Sequence, residues 1–271
     1  MTEFIGVVKI GGAEGNRIEP LMSEIADRAA AGEKWVVVHG ASGIMDRLCR
    51  ERGVEIRMIT SPSGYRSRFV GEAERAIFEE AAMTYGAAVK SALEKLGVRA
   101  EQMKPRASGV KAKRKDVLRE NVNGRMRVVR GNYSGTVTGV EGSAVIGALN
   151  GGIVPVLPPL GYDAESSLDI NIDGDRLSAS VSNAIRAGVL IILSNVPGLM
   201  KDVNSPESLI SSGTLREWEA LEHYAKGNMK RKLVACKEAL EGGAPKVYLA
   251  DGRSEAPIER ALRGEATCLT R

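Results

Sequence analysis

The sequence is short of the residues on which much enzyme chemistry rests. Only two histidines, His39 and His223, occur in 271 residues, so neither a histidine-based triad nor a histidine-rich metal centre is expected. The three cysteines (Cys49, Cys236, Cys268) are odd in number, far apart and without CxxC spacing. They fit a reduced, cytoplasmic protein rather than a disulfide framework or a zinc site. No apolar run approaches the roughly 20 residues needed to span a bilayer. Met1-Thr2-Glu3 lacks the basic region and apolar core of a secretory signal. Neither GxxxxGK[ST] nor GxGxxG is present, which removes the Walker loop and the dinucleotide fingerprint. Internal repeats, low-complexity segments and linkers are also missing.

What remains is ordinary in bulk and particular in detail. With 43% hydrophobic and 27% charged residues, the chain reads as soluble and globular, long enough for one large α/β domain or two modest lobes. Residues 4–10 form an apolar run that reads as a buried strand, yet Lys9 stands near its end, followed by Gly11 and Gly12. An ammonium in such a place is costly unless an anion meets it. Asp173 and Asp175 could supply that anion, or a metal site, or simply cap the helix behind them. Lys232, one turn inside a helix, reads on its own as a solvated lysine.

Strand, Gly-rich turn and helix alternate. The spacing predicts strands over 4–10, 35–38, 153–157, 189–193 and 246–250. Helices are expected over 19–31, 44–52 (with Ser42 as N-cap), 72–96 (mildly interrupted at Gly86), 144–149, 229–240 and 257–262, and from the polar loop 171–175 through Ala187. Residues 62–64 read as a loop and the tail as a further, edge strand. This rhythm argues for a parallel sheet with crossover helices. The loops 11–12, 40–43 and 194–198 should then gather at one sheet edge, where ligands bind in open α/β folds. For any one loop alone, glycines that merely make a tight turn are the simpler account.

Charge is concentrated. Residues 104–130 hold ten Lys/Arg against Asp116 and Glu120, a local +8 in a chain of net +4. The centre of this segment reads as a hairpin, 117–122 and 125–129 flanking Asn123-Gly124, the strongest short turn signal. A local basic patch points to an anionic partner, with a solvated hairpin as the plain alternative. Nucleic acid is the weaker rival, since Tyr133 is the one aromatic, at the segment's edge.

The order Lys9-Ile10-Gly11-Gly12, His39-Gly40-Ala41-Ser42, Asn171-Ile172-Asp173-Gly174-Asp175, Leu193-Ser194-Asn195-Val196-Pro197-Gly198 and Gly227-Asn228-Met229-Lys230-Arg231-Lys232 resembles the amino acid kinase family, and within it the acetylglutamate kinase branch. Residues 130–137 and Ala250-Asp251-Gly252-Arg253 resemble stretches of the kinases that phosphorylate aminoadipate, or glutamate, held on the acidic amino-group carrier protein LysW. The resemblance covers essentially the whole chain.

That resemblance implies a three-layer αβα sandwich around a mainly parallel sheet, with an acceptor lobe at about 1–165, a nucleotide lobe at about 166–271, and a homodimer. It implies ATP with Mg2+ as phosphoryl donor and a side-chain carboxylate as acceptor. Lys9 and Lys232 would flank the phosphoryl group in transit and Asp175 would hold them. Gly11, Gly12, Gly40, Ala41 and Ser42 would offer backbone N–H groups to phosphate or substrate. Arg68 and Asn171 would bind the substrate's carboxylate end, with Arg66 close by. Ser194, Asn195, Val196, Gly198 and Met200, with Gly227 and Met229, would line the nucleotide pocket. Lys111, Lys113, Arg114, Lys115, Arg119, Arg125, Arg127 and Arg130 would form one docking face for LysW. No residue is assigned to a metal. A carboxylate of pKa about 4.3 is ionised at neutral pH and needs no general base, which suits a chain poor in histidine. Three departures stand out: Ala41 where the family often has glycine, Asp173 where asparagine is frequent, and Arg176 where glutamine is common. The alternatives are a kinase of free N-acetylglutamate, or a non-catalytic nucleotide- or nucleic-acid-binding protein.

Overall fold

Lys9 belongs to β1 (Ile5–Ile10), the strand from which the architecture grows outward in both directions. The computed structural model describes residues 4–13, 18–62, 64 and 66–271. Met1–Glu3 of the leader argument, Ser63 of the expected 62–64 loop and Tyr65 lie outside the described residues. Helix α1 (Glu19–Ala30) starts with Pro20 in its first turn, where the missing N–H costs nothing, and stops before Gly32 at φ +88°. It leads to β2 (Lys34–His39) and α2 (Ser42–Glu51). Ser42 does not cap α2. Ala41 holds the N-cap position without a side-chain bond, and Gly43 N–H donates to Gly12 O at 2.5 Å. The glycine turn itself satisfies an amide that a serine hydroxyl would otherwise take.

A small ribbon, β3 (Met58–Thr60) and β4 (Arg66–Arg68), precedes the long helix α3 (Glu72–Lys95). This helix is unbroken at Gly86. A Cβ there would stand 2.0 Å from Gln102 Nε2 and 2.8 Å from His39 Nε2, so the glycine serves close approach rather than a break. Next come β5 (Ala100–Gln102), α4 (Pro105–Ser108), β6 (Val110–Arg114), the hairpin β7 (Leu118–Val122) and β8 (Arg125–Val129), and β9 (Gly135–Val140). Asn123 and Gly124 turn the hairpin with φ of 51° and 82°, the two positive values a type I′ turn requires.

Helix α5 (Ser143–Asn150), β10 (Val154–Leu157), β11 (Leu160–Asp163), β12 (Leu168–Asn171) and α6 (Gly174–Ala184) follow. Helix α6 ends short of Ala187, because Arg186 takes φ 52°. The last stretch holds β13 (Val189–Ser194), β14 (Ser212–Thr214), α7 (Trp218–Tyr224), α8 (Asn228–Glu241), β15 (Lys246–Asp251), α9 (Pro257–Leu262) and β16 (Thr267–Thr270).

Eight strands form the main sheet in the order β14-β16-β15-β13-β1-β2-β10-β5. All neighbours are parallel except β15 and β16. The tail strand β16 is therefore not the edge; β14 is, because β16 also pairs with it. Helices cover both faces. Val8, Ile10 and Val37 pack with Leu21, Met22, Ile25, Val89 and Ile258 of α1, α3 and α9. Val7, Val36 and Val38 pack with Leu177, Val181, Leu233 and Ala239 of α6 and α8. This is the expected three-layer αβα sandwich. A second sheet, β12-β11-β6-β9, stands beside it, and the sequence pattern did not anticipate it. At β1 and β13 the order departs in opposite directions, which opens a crevice at the strands' C-terminal ends.

Candidate active site

Strand parity places Lys9 on the same face as Val7, toward α6 and α8. Helix α6 begins at that edge with Asp173 as N-cap, its carboxylate accepting from Asp175 N (2.9 Å) and Arg176 N (3.0 Å). Asp173 is thus the cap, and Asp175, two residues on in the first turn of α6, is the anion that meets the buried lysine. Lys9 Nζ lies 2.7 Å from Asp175 Oδ1, and Lys232 Nζ lies 3.3 and 3.2 Å from its two oxygens. Lys9 and Asp175 are 8% and 7% exposed.

Burial alone would raise the Asp175 carboxyl, but Lys9 and Lys232 outweigh it and hold it well below the usual carboxylate range. Burial, with Lys9 beside it, pulls the Lys232 ammonium below its ordinary value. Two ammoniums share one carboxylate, so the group carries a net positive charge into the cleft. The N-termini of α6 and α8 open on the same space and add to that potential.

The cleft has a volume of about 1090 Å³, room for a nucleotide and an amino-acid-sized acceptor. Gly11, Gly12, Gly40, Ser42, Arg68, Asn171, Ser194 and Asn195 line it together with Lys9, Asp175 and Lys232. The glycine turns interlock: a Cβ on Gly12 would stand 2.1 Å from Ala41 N, and one on Gly40 2.5 Å from Gly12 N. Only glycine lets these two backbones meet.

Behind the turns lies a pair of rings. His39 is fully buried, stacked on Tyr85 at 5.2 Å, with Nδ1 2.9 Å from Gly40 O. Burial pushes its pKa down to about 4, so it is neutral and Nδ1–H donates. The Tyr85 hydroxyl donates to Gly11 O at 3.3 Å, and burial pushes its pKa up to about 12. Both carbonyls are held from the rear, which in planar trans peptides turns the N–H of Gly12 and of Ala41 away from the rings. Sequence reasoning missed Tyr85, which acts on a glycine 74 residues away.

The expected acceptor side is also assembled. Arg68 is ion-paired with Asp46 of α2, and its Nη1 is buried without a partner. Arg66 lines the cleft as well, and its carbonyl accepts from Arg231 Nη2 at 2.8 Å. Arg231 was overlooked although it stands in a quoted motif. Other expected site residues lie outside the lining. Ala41 is buried between α2 and α3. Val196 donates its N–H to Ser194 Oγ. Gly198 abuts Thr267, and Met200 bridges to Leu209. Gly227 turns the chain into α8 at φ 52°, and Met229 packs against the core.

The expected single basic face is split by the fold. Lys111, Lys113 and Arg114 belong to β6, in the second sheet, not to the hairpin. Lys111 is paired with Glu141. Arg114 binds Asp116 at 2.9 Å and lies 3.6 Å over the Tyr133 ring. Lys115 lines the cleft, while Arg119, Arg125, Arg127 and Arg130 stand exposed on and beside the hairpin. Among the described residues no cluster of three His, Cys, Asp or Glu could hold a metal, and no helix is long and apolar enough to cross a membrane.

Comparison with known proteins identifies the family. Residues 5–251 match the model of the amino acid kinase family. A "[LysW]-aminoadipate kinase" of Deinococcus radiodurans is 37% identical over 97% of this chain and 91% of its own. Its namesake from Thermus thermophilus is 36% identical over 96% and 98%. Among solved structures, N-acetylglutamate synthase from Neisseria gonorrhoeae superposes with a TM-score of 0.78 at 22% identity. That match covers 99% of this chain and 59% of the synthase, a likeness of fold. With the family model spanning nearly all of its length and close relatives on either side, the chain belongs to the amino acid kinase family and is a kinase.

Proposed function

We propose that this kinase transfers the γ-phosphoryl group of MgATP to the side-chain carboxylate of α-aminoadipate, or of glutamate, carried on an acidic LysW-type protein. The product is an acyl phosphate, an activated intermediate of lysine and, with glutamate, arginine biosynthesis. The observation that carries the reading is the Lys9–Asp175–Lys232 group on the floor of the cleft.

The acceptor carboxylate is ionised at neutral pH, so no residue need take a proton from it. The task is to bring two anions together in line and to offset charge as it moves from the leaving to the attacking oxygen. Lys9 and Lys232 offset that charge, and Asp175 fixes their spacing. The glycine turns offer backbone N–H groups that need no reorganisation as the reaction proceeds. Arg68, whose Nη1 has no protein partner while Nη2 is held by Asp46, binds the acceptor's carboxylate end through a charge-assisted hydrogen bond, beside Asn171. Ser194 and Asn195 face the nucleotide. Asp173 is engaged as a helix cap and Asp175 by two lysines. Neither carboxylate is free to take Mg2+, which would come with the nucleotide and supply further neutralisation of phosphate charge.

The carrier half of the reading is supported by the relatives' names and by the exposed basic groups beside the cleft. Nucleic acid fits less well, since Arg114 lies 3.6 Å over the Tyr133 ring and takes up a face on which a base would stack. A phosphorylation assay with carrier-bound aminoadipate, carrier-bound glutamate and free N-acetylglutamate tests the proposal. Carrier-bound substrates should turn over and the free one should not; efficient turnover of free N-acetylglutamate would replace this reading with that of an acetylglutamate kinase.

A further inference from the structure

The β7–β8 ribbon has two faces that differ sharply. The register pairs Leu118 with Val129, Glu120 with Arg127 and Val122 with Arg125 on one face. It pairs Arg119 with Val128 and Asn121 with Met126 on the other. The first face leans on the protein: Val129 is buried, Leu118 lines the cleft, and Glu120 accepts from Arg57 at 3.0 Å. The second touches nothing comparable. Met126 is 53% and Val128 56% exposed, with Arg119 among them. Strand alternation extends this face to Val117 at 45% and to exposed Arg130.

Three of the nine large exposed hydrophobic residues among the described residues, Val117, Met126 and Val128, fall on this one outward face. Scattered exposure needs no explanation, but an apolar ladder rimmed by arginines does. A second copy of the chain is a poor occupant, because a two-fold contact would press together two identical faces whose charged groups, Arg119 and Arg130, are all positive. Nucleic acid gains nothing from valine and methionine, which offer no stacking plane.

We propose that this outward face, Val117, Arg119, Met126, Val128 and Arg130, is where an acidic partner protein with a small apolar patch docks. The inference rests on the carrier reading and deepens it: the partner is recognised by an apolar contact inside a charged rim, not by charge alone. The arginines speed encounter and set orientation, while the ladder excludes water and slows dissociation. The ribbon is well placed for delivery, since its base at Lys115 and Leu118 forms part of the cleft wall.

The test is titration calorimetry of the intact enzyme with purified LysW-type carrier bearing α-aminoadipate, at two salt concentrations. Met126→Ser/Val128→Ser should weaken binding at least tenfold and leave the salt dependence as it was. Arg119→Gln/Arg130→Gln should weaken it and flatten the salt dependence. Val122→Ser, exposed on the opposite face, should change affinity less than twofold. Thermal melts, unchanged by these surface substitutions, verify folding. A carrier-dependent enzyme indifferent to Met126→Ser/Val128→Ser, or equally weakened by Val122→Ser, overturns the docking face alone. Tighter binding of a single-stranded oligonucleotide than of the carrier overturns it too. An enzyme that ignores the carrier and turns over free N-acetylglutamate overturns the carrier reading and this face with it.

Discussion

Lys9 and Lys232 sit almost wholly out of water, 2.7 to 3.3 Å from a carboxylate that both must share. Arg119, Arg125, Arg127 and Arg130 stand in solvent on and beside a two-stranded ribbon. Both sets are positive, but their physics is opposed. Buried charges of one sign persist only because an opposed charge, fixed by a helix start, offsets their desolvation. Exposed charges cost little, are screened by salt, and act mainly on encounter and orientation. The first arrangement suits stabilising a transition state in place, and the second suits finding a partner.

Breaking the buried arrangement should have the larger consequence. Asp175→Asn leaves two ammoniums without a shared counter-ion, and loss of one partner from a buried ion pair typically costs about 3–5 kcal/mol. Chemical denaturation should show a loss of that order together with loss of phosphoryl transfer. The same group predicts a pH dependence. Its folded pKa is depressed, so its stabilising contribution is complete above the unfolded value of about 3.9 and is lost as pH falls through the folded one. Acid titration of the wild type should therefore lose stability below about pH 4, and Asp175→Asn should lack that component.

Tyr85→Phe sharpens the comparison from behind the cleft. It removes one hydrogen bond to Gly11 and little volume, worth about 1 kcal/mol. A roughly fivefold drop in kcat is expected, with the KM for ATP little changed. On the exposed side the effects should be smaller again. Arg119→Gln should raise the KM for the carrier-bound substrate a few-fold at low salt, with the difference from wild type shrinking as salt screens it. Lys111 and Lys113 make the finest distinction. Lys111 is already neutralised by Glu141, so Lys111→Gln should change the salt dependence of that KM less than Lys113→Gln.

Much of this plan was legible in the sequence, wherever local rules governed. The strand that carries Lys9 and the Asn123-Gly124 turn follow from apolar runs and from residues tolerant of positive φ. The sheet of β12, β11, β6 and β9 was not legible, because it assembles strands of 4 to 6 residues drawn from across 110–171. In β6, Val110 and Ala112 are buried while Lys111 and Lys113 are exposed, an alternation that the charge count had obscured. Gly86 misled for a related reason: whether a helical glycine is a break or a seat for Gln102 and His39 depends on contacts that sequence spacing does not carry. Lys232 looked like a solvated lysine until α6 placed Asp175 against it.

The central claim is that two lysines on one aspartate carry the phosphoryl transfer. Its most direct test is the turnover of Lys9→Ala and Lys232→Ala with saturating MgATP and carrier-bound aminoadipate, with circular dichroism to verify the fold. Each variant should lose on the order of 10²–10³-fold or more in kcat, the scale of removing a preorganised charge-stabilising group. Wild-type rates in both folded variants would contradict it.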